Sequence, residues 1–265
     1  KVRARRWFTT RTGIANSKGE YSCNGKFRRK ANYSITWMRY HFTVRKGLIS
    51  ARYNGPKKKG DWNLNIKDGR QEYYATIFRA VHHYCYKDIK GLRRPPQNSF
   101  WTHTLKIKAH YESNINGCSF VPNFGFLDLD SPIKFYNPQH SSSKIYATVI
   151  HDIAHASHCW SLNWTNYLNV ENIIIESWAR GVEWELTRMI YSGYEPQYDD
   201  DYTGVVQDMI DGQGFNHDQV SGYTIRQIED ALINQNTWEE WKTNIKNSYE
   251  NPTEEKLDAL FDYWN

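Results

Sequence analysis

His151, Asp152 and His155 stand together in K-I-Y-A-T-V-I-H-D-I-A-H-A-S-H-C-W, Lys144 to Trp160. On a helix, residues four apart lie about one turn apart on one face, so both imidazoles can meet a single metal ion. Ser141, Ser142 and Ser143 offer N-caps, and Ile145, Tyr146, Val149, Ile150, Ile153 and Ala154 supply the apolar spacing of a helix. A bare pair of histidines is more often two hydrogen-bonded side chains than a site. Two features tip the balance: an acid directly follows the first histidine, and Glu176 lies twenty-one residues after the second, on a further helical stretch from Asn172 to Tyr191.

A catalytic zinc takes three protein ligands and keeps one position for water. His151, His155 and Glu176 supply that set, and Zn2+ is the expected cofactor. Glu183, seven residues after Glu176 on the same face, can orient a ligand histidine through its other ring nitrogen or take the place of Glu176. His158 is about 10 Å along the axis from His151, too far to share an ion that His155 also binds tetrahedrally. It is expected to line the cleft or to hydrogen-bond nearby, and Cys159 to be buried.

H-x-x-x-H followed by E-x-x-A (Glu176, Ala179) resembles the gluzincin branch of the zincin metallopeptidases. The fuller strings A-T-V-I-H-D-I-A-H-A-S-H and E-S-W-A-R-G-V-E-W-E-L-T are similar to a group of zinc metallopeptidases found in Bacteroidetes. So are A-T-I-F-R-A-V-H-H-Y-C-Y and G-L-R-R-P-P, within Tyr74 to Pro96. The likeness runs from about Trp62 to Tyr194. It implies a peptide or protein substrate, secretion or cell-surface display with or without a lipid anchor, and a small β-domain ahead of the peptidase. The family has glutamate where this chain has Asp152, the expected catalytic base. Aspartate is one methylene shorter, and a misplacement of about 1 Å can cost on the order of a hundredfold. Reduced activity is therefore expected. The alternative is a zincin-fold module that binds peptide or glycan without turnover. An oxyanion donor is expected after the glutamate helix, from Tyr191, Tyr194, Tyr198, Tyr202 or His217.

The elements that must position these residues divide the chain. Residues 1–60 hold 17 Lys and Arg against one acid, Glu20, and the remainder carries a net charge of −11. The fold class expected is α+β. Residues 1–55 form a β-rich segment, and residues 61–265 a zincin-like domain with a small mixed sheet and several helices. A-N-S-K-G-E-Y-S from Ala15 is similar to a turn of carboxypeptidase regulatory-like, transthyretin-like domains. Strands are expected at Arg3–Phe8, Glu20–Phe27, Tyr33–Met38 and His41–Val44, with turns at Thr12-Gly13, Lys18-Gly19 and Asn24-Gly25 and a linker at Asn54–Gly60. The basic residues alternate with strand residues and form no groove-reading helix, so no nucleic-acid partner is expected.

Further along, a helix is expected at Gln71–Tyr86 and strands at Thr104–His110 and Ile133–Tyr136. The zincin resemblance makes the strand before the metal helix a cleft edge. Four helices should follow: Val205–Ile210, Thr224–Gln235, Thr237–Asn247 and Pro252–Trp264, with Thr237 and Glu240 as a capping box and Pro252 at a first helical position. No apolar run approaches the length of a membrane span. Cys23, Cys85, Cys118 and Cys159 are too dispersed for a disulfide framework. The 11 Trp, 19 Tyr and 11 Phe must be largely buried despite a mean hydropathy of −0.80.

Overall fold

The computed structural model describes residues 1–16, 18–95, 104–111, 118–120, 133–136, 141–162, 164–211 and 218–265, with the backbone alone at 118–120 and 164. It is a mixed α+β structure. Strands β1 (Val2–Arg6), β2 (Thr9–Gly13), β3 (Ala31–Thr36), β4 (Phe42–Lys46), β5 (Ile49–Ser50) and β6 (Arg52–Lys58) precede helix α1 (Gly69–Tyr86). Strands β7 (Leu105–Ala109), β8 (Cys118–Phe120) and β9 (Ile133–Phe135) lead to α2 (Ser142–Leu162), the short α3 (Trp164–Tyr167) and α4 (Asn172–Arg188). Helices α5 (Val205–Asp211), α6 (Ile225–Leu232), α7 (Trp238–Ser248) and α8 (Leu257–Trp264) complete the chain.

The first sheet is antiparallel, in the order β2-β1-β3-β6. Its apolar face is closed by Trp62, whose ring stacks on Tyr53 at 5.9 Å and tilts against Tyr33 at 5.6 Å. Gly55 permits this, since a Cβ there would stand 2.6 Å from the indole. The second sheet is mixed, in the order β5-β4-β7-β9-β8. Strand β4 runs parallel to β7, and β7 parallel to β9, while β8 lies antiparallel to β9 at one edge. Two strands from the first sixty residues, β4 and β5, therefore belong to this sheet. Alternation decides which side is buried: Leu105, Ile107 and Ala109 point inward, while Lys106 and Lys108 between them stay partly exposed.

Several expectations about the early chain are corrected. Glu20–Phe27 is not a strand. Asn16 Oδ1 accepts the backbone N–H groups of Lys18 and Glu20, and Asn24 Oδ1 accepts that of Thr12 at 2.8 Å, so side chains there take the place of a ladder. Thr12-Gly13 is not a turn but the end of β2; the reversal occurs at Trp7-Phe8, between the paired residues Arg6 and Thr9. Asn54–Gly60 is not a linker, because most of it is β6 paired to β3. Pro56 is tolerated there because β6 is an edge strand with a register shift opposite Asn32 and Ser34. The strand before the helix that carries His151 and His155, β9, is interior among the described strands; the edge beside it is β8.

Helix α2 is the spine of the larger part. Fourteen of its residues are buried, against α1 on one side and α4 on the other. Each fully buried isoleucine, such as Ile150 or Ile153, contributes roughly 1.5–3 kcal/mol. Ser141 Oγ accepts the N–H of Lys144 at its start, as the serine run predicts. Helix α4 has no side-chain cap; Glu171 before it accepts the N–H of Trp238 at 2.7 Å and ties it to α7. Gly181 lets α5 approach α4 closely: a Cβ there would meet Val206 Cγ1 at 2.2 Å. Thr237 and Glu240 do form a capping box, and so do Thr224 and Gln227 at α6. Pro252 is not at a first helical position; a 3-10 turn at Glu254–Lys256 intervenes before α8. No helix of the described residues is long and apolar enough to cross a membrane.

Candidate metal centre

Helices α2 and α4 bring His151, His155 and Glu176 together. His151 Nε2 lies 3.0 Å from Glu176 Oε2 and 3.1 Å from His155 Nε2, and His155 Nε2 lies 3.3 Å from the same carboxylate oxygen. Four zinc bonds of about 2.0–2.1 Å in a tetrahedron place neighbouring ligand atoms about 3.3–3.4 Å apart. The trio is within a few tenths of an ångström of one tetrahedral face. The three residues could hold a metal ion.

The outer atoms of the two rings are engaged. His151 Nδ1 faces Glu183 Oε2 at 3.0 Å, off the linear approach of a good hydrogen bond. Glu183 is itself held by Arg180 Nη1 at 2.8 Å and by the hydroxyl of Tyr194. His155 Nδ1 lies 3.4 Å from the hydroxyl of Tyr167. With the Nδ1 proton turned outward on both rings, the two Nε2 lone pairs and a carboxylate oxygen converge. Such a set repels itself unless a proton or a cation sits within it.

The titration of the group says the same in other words. Burial works against charge on His151, but the carboxylates of Glu176 and Glu183 outweigh it and push its pKa up to about 9. Burial, helped by the charge on His151, holds His155 below its usual value. One proton serves two rings. Burial would raise Glu176, yet the two histidines hold its carboxyl well below the usual carboxylate range, and Glu183 is lowered by His151 and Arg180 against its own burial. A metal ion entering the site would displace that single proton.

The other expected residues fall into place unevenly. Asp152 is 4% exposed, and its charge is felt at both His151 and Tyr167. Tyr202 stacks on the His151 ring at 5.7 Å, with the Arg180 guanidinium 4.7 Å over its own ring. Burial and the charge of Glu176 push the Tyr202 phenol up to about 12. Tyr194 reaches the site through Glu183. Tyr198 donates instead to Gln207, and Tyr191 packs on Tyr146, so neither is at the centre. His217 lies outside the described residues. His158 is a correction: it is buried, and neither of its ring nitrogens has a hydrogen-bond partner among the described residues. It is 3% exposed, edge-on to Tyr167 at 5.3 Å, with burial pushing its pKa down to about 3.

No family model, no curated protein and no solved structure matches the chain. The site must therefore be read from its own geometry. Sequence reasoning missed Tyr167 and Arg180. Arg180 was visible in principle, since it sits four residues after Glu176 and three before Glu183 on one helix face. Tyr167 carried no such signal, because only the turn after α2 brings it back to His155.

A second convergence went unread. Asp208, Asp211 and Asp218 bring carboxylate oxygens within 4.8 Å of one another. Asp208 Oδ2 accepts the indole N–H of Trp264 at 2.7 Å. Burial first, then the charges of Asp218 and Asp211, push the Asp208 carboxyl up to about 7.

Proposed function

We propose that this protein is a zinc-dependent peptidase on a gluzincin-like scaffold, with Asp152 in the position of the usual glutamate base. The observation that carries the reading is the trio of donor atoms 3.0–3.3 Å apart, contributed by two packed helices. Zinc bound there supplies a polarised scissile carbonyl and a water of near-neutral acidity. The protein's own groups do the rest. Glu183, braced by Arg180 and Tyr194, fixes the ring and tautomer of His151. The Asp152 carboxylate takes up a proton from the attacking water and returns it to the leaving amine. The Tyr202 phenol keeps its proton at neutral pH and can donate to the developing oxyanion. An extended peptide is expected to lie antiparallel along β8, the edge strand among the described residues, since edge backbone groups bind main chain whatever its sequence. The first sheet would be the transthyretin-like segment, and the protein would act outside the cell.

A second reading rests on Asp152 itself. It is buried and one methylene short of glutamate, which favours a module that binds peptide or glycan and turns over little. The experiment is metal analysis of the purified chain together with turnover on a diverse peptide library. One equivalent of zinc with cleavage supports the peptidase. Zinc without cleavage shifts the assignment to the binding module. Failure to take up zinc at micromolar concentration overturns both.

A further inference from the structure

The register of the first sheet gathers three separate basic segments at one end. Arg5 pairs with Asn32 and Ala31 pairs with Lys58, so the end of β1, the start of β3 and the end of β6 lie side by side. Arg5 and Arg6 end β1; Arg28, Arg29 and Lys30 enter β3; Lys57, Lys58 and Lys59 leave β6. All but Arg6 and Lys58 are exposed, and no ion pair joins any of the eight to a carboxylate among the described residues. Beyond them projects the two-residue turn of the β1–β2 hairpin, Trp7 and Phe8, 78% and 99% exposed. Trp7 holds φ at +51°, a left-handed conformation that favours glycine or asparagine and is strained for a bulky aromatic. The Arg6 guanidinium lies over its ring, 5.3 Å from the centroid.

We propose that this end of the sheet docks the protein onto an anionic lipid surface. Charge complementarity selects an anionic partner, and the two exposed aromatic side chains select a membrane over a polymer. They form the tip of the hairpin, and the register of the sheet sets the basic ends of β3 and β6 beside that tip. A lipid surface offers both, anionic headgroups for the cations and an interfacial zone that accepts aromatic rings. A single-stranded nucleic acid needs aromatic faces lying along a groove, and Phe8 has no protein wall against which a base could be held. Each Lys or Arg close to an anionic leaflet strengthens binding by roughly fivefold, so several acting together suffice for reversible attachment without a spanning helix.

The test is co-sedimentation of the full chain with vesicles of phosphatidylcholine alone or with 30% phosphatidylglycerol, at about 0.1 M salt. Binding is expected to the anionic vesicles and not to the neutral ones. Trp7→Ser with Phe8→Ser, which leaves every charge in place, should weaken it at least tenfold, as should Arg28→Glu with Arg29→Glu. Both variants change exposed residues, and an unchanged melting temperature and zinc content will show that the fold is intact. Binding that survives the aromatic double substitution overturns the proposal. So does displacement from the vesicles by heparin or a single-stranded oligonucleotide that binds the wild type, but not the aromatic variant, more tightly than lipid does.

Discussion

Two triplets of side chains converge in this protein, and they resolve the same conflict in opposite ways. His151, His155 and Glu176 bring two rings that share one added proton together with one carboxylate, and Glu183 and Tyr167 stand behind the rings. Asp208, Asp211 and Asp218 bring three carboxylates together, with an indole N–H as the one neutral donor to Asp208. In the first triplet, Nδ1 protons turned outward leave Nε2 lone pairs that an added positive charge satisfies. In the second, burial makes ionisation itself expensive, and Asp208 keeps its proton until about pH 7. Proximity of ligand atoms is common to both. What distinguishes a metal centre is the set of partners that point each donor.

The comparison breaks most sharply on the ligands. His155→Ala should lower zinc affinity by about three orders of magnitude, taking roughly a quarter of the 10–16 kcal/mol typical of four-ligand zinc sites. Isothermal titration with a competing chelator will measure it, and a variant that still binds zinc like the wild type removes the first triplet as a metal centre. The partners come next. Glu183→Gln should lower zinc affinity by about 10–100-fold while leaving one equivalent bound at saturation. An unchanged affinity would mean that Glu183 serves only Arg180 and Tyr194.

Asp152→Glu sharpens the comparison on the catalytic side. The longer side chain should raise peptide turnover by about tenfold or more with zinc affinity unchanged, because general acid–base help is worth typically 10²–10⁴-fold. A slower glutamate variant would mean that the pocket has adapted to the shorter acid. The smallest effect belongs to the second triplet. The unfolded chain releases the Asp208 proton near pH 3.8, and the folded one holds it to about pH 7. The carboxyl therefore costs stability progressively as pH rises between those values. Asp208→Asn should remove that slope and gain on the order of 1–2 kcal/mol at pH 8, read by urea unfolding across pH. A melting temperature that rises with millimolar calcium in the wild type, but not in the variant, would instead make the two triplets alike.

How legible this was depended on the range of the interactions. Helices α2 and α4 could be read because their apolar residues recur at 3.6 and their chemistry sits on one face each. The strands β7 and β9 could be read from strict alternation. The early chain could not, because Asn16 and Asn24 satisfy backbone groups through their side chains, and because β6 carries Pro56 and two lysines in the manner of a linker. Strand β8 looked like part of a loop, having only three residues. Tyr167 and the Asp208 triplet are products of chain reversal, and no local spacing announces them.

The contact between Gly181 and Val206 has a kinetic consequence. Gly181 lies on α4 between Glu176 and Glu183, two residues before the latter, and α5 packs against it through Val206. No side chain cushions the two helices there, so α4 cannot breathe locally without lifting α5. Amide hydrogens from Ala179 to Glu183 should then exchange with solvent deuterium only when the whole domain opens, among the slowest in the chain. Those at the Trp7–Phe8 turn should exchange within seconds. A native-state exchange map would thus give the centre a clock: the time for which its donor atoms stay aligned without help from an ion.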